Sequence, residues 1–330
     1  LNRTLLLFAF ATLLAIQAVA NPRPQNTVTF NQDWRFHLGD VSDGQRTDLD
    51  DSSWRKLNLP HDYSIEGEFD EKSAAGTGGG ALNGGTGWYR KTFNVPVSSK
   101  GKLLFVDFDG VYRKSEVWIN GQYLGKRPYG YSSFQYELTP YINFGAKNLI
   151  AVKVDNSEQP NSRWYSGSGI YRNTWLTTVD PVHVDHWGTW ITTPEVTEQS
   201  AKIKIETTIK NDLKAASSGT LTSIIYDSRN KEVARVSTSL VVANGASAVI
   251  PQELTVKQPI LWSVDRPYLY RMVSEVGVNG HPIDGILADR YETVFGIRNF
   301  KFDPEQGFSL NGKHVKIRGV CNHHDLGALG

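Results

Sequence analysis

The chain has 330 residues, with 35 Lys and Arg against 34 Asp and Glu, for a formal net charge of +1. That balance, without a long run of either sign, excludes nucleic acid and an anionic membrane surface as main partners. The length exceeds one typical domain and predicts two or three. Nine Trp, 14 Tyr, 14 Phe and 30 Gly suit an all-β protein with many turns. In such a protein aromatic side chains fill sandwich cores, and their faces also stack on sugar rings.

Residues 5–16 form an apolar run behind Arg3, and Ala18-Val19-Ala20 offers a small-x-small cleavage site before Asn21. Residues 1–20 therefore read as a secretory signal peptide, too short for a comfortable membrane span. The expected location is secreted or periplasmic, with no membrane attachment after cleavage and no lipid anchor, because no Cys follows the run. Cys321 is the single cysteine. It cannot form an intramolecular disulfide, so an exported fold here stands on core packing.

Residues 21–179 read as a first β domain. The stretch 30–36 opens it, and Asp50-Asp51-Ser52-Ser53 before Trp54 carries a helix-capping pattern. Pro60-His61-Asp62 reads as a turn that fixes the chain rather than as a catalytic pair. Strands are expected at 88–95, 103–108, 115–119 and 149–154 from alternation and β-branched runs. Asn120-Gly121 between two of them predicts a type I′ hairpin, because both turn residues must accept positive φ. The pattern fits a jelly-roll sandwich.

The glycine-rich stretch 76–87 (GTGGGALNGGTG) offers no phosphate site. No Lys-Ser or Lys-Thr follows it, and the next element is a strand rather than a helix N-terminus. A loop that can approach a ligand closely remains open. In 162–176 (SRWYSGSGIYRNTWL), Arg163, Trp164 and Tyr165 precede a small-residue turn at 166–169. Arg163 and Trp164 suit hydroxyl recognition and ring stacking. The competing reading is a sandwich edge with Arg163 solvated over an aromatic, and the sequence leaves both open.

Residues 180–297 read as a second sandwich. Ile203, Ile205 and Ile209 alternate with Lys202, Lys204 and Lys210, giving one buried and one wet face. Further strands are expected at 220–226, 233–240 and 268–276, with Asn244-Gly245 and Asn279-Gly280 as turns. About seven short strands without a disulfide indicate an immunoglobulin-like fold. Nothing in this part is chemically suggestive.

Residues 298–330 begin with an Asn-Gly hairpin at 308–315. Val315, Ile317 and Gly319-Val320 then read as a short buried strand ending in Asn322-His323-His324-Asp325. In a β/α barrel such strand ends carry the chemistry. A zinc site from His323, His324 and Asp325 is disfavoured, because adjacent histidines on a strand face opposite ways. No metal is expected. A Cys321–His323 nucleophile lacks a third group to orient it.

Four stretches together, 50–67 (DDSSWRKLNLPHDYSIEG), 87–93 (GWYRKTF), 109–125 (DGVYRKSEVWINGQYLG) and 166–172 (SGSGIYR), resemble the sugar-binding domain of glycoside hydrolase family 2, the β-galactosidase and β-glucuronidase family. Ile260-Leu261-Trp262, Pro267-Tyr268-Leu269-Tyr270 and Phe295-Gly296-Ile297-Arg298 resemble that family's immunoglobulin-like domain. GVCNHHD (319–325) is similar to the start of its catalytic barrel. The resemblance implies a jelly-roll sandwich, an immunoglobulin-like sandwich and then the first strand of a (β/α)8 barrel cut short.

It also implies retaining hydrolysis of terminal β-galactosides, without a cofactor. Two glutamates about 5–5.5 Å apart do that chemistry, and in the family they lie on later barrel strands, beyond Gly330. The 330-residue chain alone is expected to be inactive. His323 falls on the family's sugar-contacting histidine, and Asn322 takes the place of a frequent Arg. His324 and Asp325 depart from the commoner Glu-His. Arg163 and Trp164 are expected to reach the barrel mouth beside His323. The implied partner is a carbohydrate, and an oligomer of the whole enzyme is open. β-Glucuronidase and β-mannosidase are the alternatives within the family, and a non-catalytic carbohydrate-binding β-sandwich protein is the alternative outside it.

Overall fold

The computed structural model describes residues 23–280 and 287–321. The apolar run at 1–20 and the Asn322-His323-His324-Asp325 cluster lie outside the described residues. The described chain is almost entirely β, arranged as two sandwiches and a terminal hairpin.

In the first sandwich a six-stranded antiparallel sheet runs in the order Arg55–Leu57, Trp34–Leu38, Gly85–Asn94, Lys147–Asn156, Ser115–Ile119, Gln122–Arg127. A four-stranded sheet, Thr27–Thr29, Thr174–Val179, Leu103–Phe108 and Phe134–Glu137, packs against it. Alternation decides which side chains meet: Ser115–Ile119 buries Val117 and Ile119 and leaves Glu116 and Trp118 on the other face. One continuous core results between the sheets, built on Trp34, Phe36, Tyr89, Val106, Phe108 and Ile150, and a smaller cluster of Trp54, Trp88 and Ala151 is buried apart from it. Trp34 is fully buried, and its indole N–H donates to the Phe30 carbonyl at 2.8 Å, so its burial leaves no polar group unpaired.

Asn120 and Gly121 turn the chain with φ of 50° and 80°, as the Asn-Gly hairpin requires. The capping pattern before Trp54 makes a turn instead of a helix. Asp50 accepts the Ser52 N–H at 2.9 Å, and Asp51 is drawn off to Arg90 at 2.8 Å and Arg35 at 3.3 Å. An acidic side chain held by two guanidiniums is not available to cap a helix.

The second sandwich faces a three-stranded sheet, Val182–Val196, Ser200–Asn211 and Ala246–Lys257, against a five-stranded one. The latter runs Arg23–Pro24, Asp289–Phe295, Tyr270–Val278, Ser217–Tyr226, Glu232–Val242. Ile203, Ile205 and Ile209 point inward, as their spacing predicts. The leader was expected with the first sandwich, yet Arg23 and Pro24 pair with Glu292 and Tyr291 of the second. A Pro without an amide donor sits readily on that edge position. The apolar core is divided. One cluster gathers Val184, Ile209, Leu221, Val276 and Tyr291, and the other gathers Ile203, Ile205, Ile225, Tyr270 and Met272.

The terminal hairpin Phe300–Asp303, Gly307–Leu310, Lys313–His314 turns at Asn311 and Gly312 with φ of 50° and 75°. It is fastened to the second sandwich by Asn311, whose amide donates to the Trp262 carbonyl at 2.9 Å. The buried strand expected at 315–320 is not found. Residues 315–321 carry no strand, and Ile317 and Val320 are 67% and 87% exposed. A barrel strand draws its burial from neighbours on both sides; here only the Val315 N–H reaches a described strand, donating to the Phe308 carbonyl at 2.9 Å, and no strand of any sheet includes 315–321.

Candidate functional site

The segment after strand Lys147–Asn156 loops out and returns at Ile170. What holds it in one shape is a set of short polar side chains beneath it. Asn156 is buried, and its amide donates to the Gly167 carbonyl at 3.0 Å and to Ser168 Oγ at 2.7 Å. Ser64 Oγ donates to Ser168 Oγ at 2.6 Å. Asp62 is the main tie. Its Oδ1 accepts the N–H of Ser64 at 2.9 Å and of Ser168 at 2.8 Å, and its Oδ2 accepts the Tyr165 hydroxyl at 2.6 Å. Burial, together with that bond to the carboxylate, pushes the Tyr165 phenol well above its ordinary range, so it remains a donor.

His61 is likewise structural. Its ring lies between the Tyr89 hydroxyl at 2.7 Å and Glu66 at 3.2 Å, and burial holds the imidazole below its usual range against the pull of Glu66. The reading of Pro60-His61-Asp62 as a chain-fixing turn agrees with these contacts.

Above this base the loop opens a hollow of about 580 Å³, bounded by Tyr112, Tyr129, Tyr131 and Trp164, with Arg113, Asn161 and Arg163 at its rim. Tyr131 is central. Its ring centroid lies 5.1 Å from that of Tyr112 and 5.7 Å from that of Tyr129, and its hydroxyl accepts the Trp164 indole N–H at 3.1 Å. Trp164 and Tyr129 remain 53% and 63% exposed. Ring faces are thus held in place and still open to solvent, which is the arrangement that stacking on a sugar requires. Arg113 is committed to Glu158, at 3.2 Å to its carbonyl and 3.5 Å to its carboxylate. Arg163 has no hydrogen-bond or ion-pair partner among the described residues, so its five donors face solvent. The glycine-rich segment folds a 3-10 turn at Thr77–Gly79, and Gly78 lies against the Arg163 backbone.

The structure therefore brings Arg163 and Trp164 to one hollow. Asn322 and His323 lie outside the described residues. The three tyrosines were missed by sequence reasoning. For Tyr129 and Tyr131 the signal was Pro128-Tyr129-Gly130-Tyr131, an aromatic-glycine-aromatic turn between two strands; Tyr112 lies outside it.

Comparison with known proteins now bears on this geometry. Residues 80–180 match the pattern of the glycosyl hydrolases family 2 sugar binding domain, and residues 182–298 match that of glycosyl hydrolases family 2. The chain belongs to glycoside hydrolase family 2. It is 51% identical over 307 residues to a beta-galactosidase of Bacteroides ovatus, covering 93% of this chain and 36% of that protein. To a putative beta-glucuronidase of Formosa agariphila it is 41% identical, covering 91% and 28%. The crystal structure of a family 2 member from Bacteroides cellulosilyticus superposes with a TM-score of 0.86 at 41% identity, over 91% of this chain and 39% of that one. The chain thus spans roughly a third of the length of the relatives it matches. The jelly-roll and immunoglobulin-like sandwiches are those of the family, and no barrel closes among the described residues.

Proposed function

We propose that the whole protein is an exported retaining glycosidase that removes terminal β-galactosides, and that this chain supplies its sugar-facing sandwich and a supporting one. The observation that carries the galactoside is the 51% identity to a beta-galactosidase, ahead of the 41% to a putative beta-glucuronidase. The hollow supports a carbohydrate partner. Aromatic faces at Trp164, Tyr129 and Tyr131 would take the apolar face of a pyranose, and Arg163 would donate to its hydroxyls. His323, with Asn322 beside it, would complete the wall around the non-reducing sugar. No acidic residue of this chain is assigned the role of acid/base or nucleophile.

A second reading has its own support. The unpaired guanidinium of Arg163 would equally suit the carboxylate of a glucuronide, and beta-glucuronidases stand among the relatives. Assay of the complete gene product on nitrophenyl β-galactoside, β-glucuronide and β-mannoside separates these. Fastest turnover of the galactoside is expected. Preference for the glucuronide would replace the reading, and no turnover of any of the three would favour a binding protein.

If Arg163 hydrogen-bonds the sugar mainly in the transition state, Arg163→Ala in that enzyme lowers kcat and kcat/KM together. The loss of one charged hydrogen bond is worth about 1.5–3 kcal/mol, or roughly 10- to 150-fold. Kinetics within about twofold of the parent, with unchanged thermal unfolding, would make the loop a mere sandwich edge.

A further inference from the structure

The division of the second sandwich's core into two apolar clusters has a cause. Between them runs one layer of small polar side chains, one from each of seven strands: Thr189, Thr207, Gln252, Thr238, Ser223, Ser274 and Thr293. Its parity is that of the core. Thr207 falls between Ile205 and Ile209, Ser223 between Leu221 and Ile225, Ser274 between Met272 and Val276, and each of the three flanked residues is fully buried. Half of the layer is closed by direct bonds. Gln252 accepts the Ser223 hydroxyl at 2.7 Å and donates to the Leu221 carbonyl at 3.0 Å and to Thr238 Oγ1 at 3.1 Å.

The other half is not closed. Thr189 and Thr207 are directly paired across one sheet. Thr293 stands on the strand beside that of Ser274 in the opposite sheet, diagonal to it. All four hydroxyl oxygens are sealed from solvent and have no hydrogen-bond partner among the described residues. A buried hydroxyl without a partner is costly, and four in one layer of a native core call for a common explanation. Shape supplies it. Ile205 and Met272 belong to the apolar cluster on one side of the layer and Ile209 and Val276 to the cluster on the other, and the longer Ile and Met side chains limit how closely the sheets can approach at the shorter Ser and Thr.

We propose that Thr189, Thr207, Ser274 and Thr293 form an internal solvent site, in which ordered water bridges the two sheets of the second sandwich. Internal waters of this kind make about three hydrogen bonds to otherwise unsatisfied groups, and this layer offers four hydroxyls, each able to donate and accept. The water completes the polar plane that Gln252 closes on the other side.

Oxygen-17 magnetic relaxation dispersion on the 330-residue protein counts long-lived internal water, and a high-resolution crystal structure locates it. The expected result is water density within hydrogen-bond reach of at least three of the four hydroxyls. The dispersion is expected to diminish in a Thr207→Val, Ser274→Ala double variant. Hydroxyls bonded directly to each other or to strand carbonyls, with no water between, would overturn the proposal. Unfolding in urea gives a second readout. Thr207→Val alone should lower the midpoint, since it leaves the water and its other partners short of a bond. The quadruple change to Val, Val, Ala and Val should recover most of that loss, because it removes the need for water. Losses that simply add across the four positions would also overturn it. Should a variant fail to fold, the measurements on the parent protein decide alone.

Discussion

In the first sandwich one set of short polar side chains ties the loops at the rim, and in the second a set of them crosses the middle of the core. Asp62, Ser64, Asn156 and Ser168 tie loop to loop around an undivided aromatic core. Thr207, Ser223, Gln252 and Ser274 instead interrupt a core that is apolar above and below them. The difference follows from what each sandwich must hold still. A loop presenting Arg163 and Trp164 has little apolar area of its own, so directional bonds to its backbone must fix its shape. A sandwich without such a loop can place polar groups within the strands, where they resist a shift of register: a two-residue slip would carry Thr207 out of the polar layer and into the level of Ile205 or Ile209.

Disturbing the rim of the first sandwich should have the largest effect. Gly169 has φ of 128°, and its backbone exchanges two bonds with Tyr112, at 2.8 Å and 2.9 Å. A Cβ there would stand 2.6 Å from the His61 carbonyl oxygen and would also collide with the Tyr89 hydroxyl. Gly169→Ala combines a disfavoured φ with overpacking against backbone, so a loss of about 3 kcal/mol is expected. Tyr112 would shift with it and distort the hollow. Urea unfolding followed by tryptophan fluorescence measures this, and an unchanged midpoint would show that the rim bonds do not hold the loop.

The second sandwich has its own sensitive point. Asp289 is 7% exposed, and its carboxylate accepts the N–H of Val184 at 2.9 Å and of Arg290 at 2.8 Å. Burial outweighs those bonds and raises its pKa to about 6, from the ordinary 3.8. Because the folded value is the higher, the folded state binds the proton more tightly. The stabilising contribution is complete below about pH 4 and is lost as pH rises through 6. The shift corresponds to at most about 3 kcal/mol. Asp289→Asn should remove this slope, so that the difference in unfolding free energy between parent and variant changes between pH 4 and 6 and is constant above. A parallel pair of pH profiles would refute the assignment.

Much of this architecture could be read from the residues, and the gaps have physical reasons. The strands Leu103–Phe108 and Ser115–Ile119 fall where alternation places them, and the Asn-Gly turns at 120 and 311 have both residues at positive φ. Parity also puts Thr207 in the inward series of Ile203, Ile205 and Ile209, but the polar layer spans seven strands and was not read from any one of them. Local pattern failed where the outcome is set by distant partners. Asp51 is claimed by Arg90, 39 residues away, and a leader at Arg23 pairs with a strand near the other end of the chain. Ile317 and Val320 read as buried because they are apolar, but burial needs a neighbour. Of the candidate site, Arg163 and Trp164 were legible as an unusual pair of side chains. The tyrosines were not, because their approach to Trp164 depends on how two separate loops fold.

The smallest effect on stability should come from the residue that matters most to the proposed site. Trp164 is 53% exposed and makes one indole N–H bond, to Tyr131 at 3.1 Å. At such exposure water replaces the bond on truncation, so Trp164→Ala should cost the fold no more than about 0.5–1 kcal/mol. Its ring face, in contrast, contributes to ligand binding by stacking, worth about 0.5–1.5 kcal/mol beyond the area it covers. Titration of the 330-residue protein with galactose and short galactosides, followed by calorimetry, should therefore show weaker binding by Trp164→Ala with nearly unchanged unfolding. Trp164→Phe should retain most of the affinity, because it keeps an aromatic face and loses only the bond to Tyr131. Equal binding by all three proteins would place the sugar elsewhere. A large loss of stability in Trp164→Ala would mean that the ring is a structural prop, and the rim would then resemble the second sandwich more than the comparison allows.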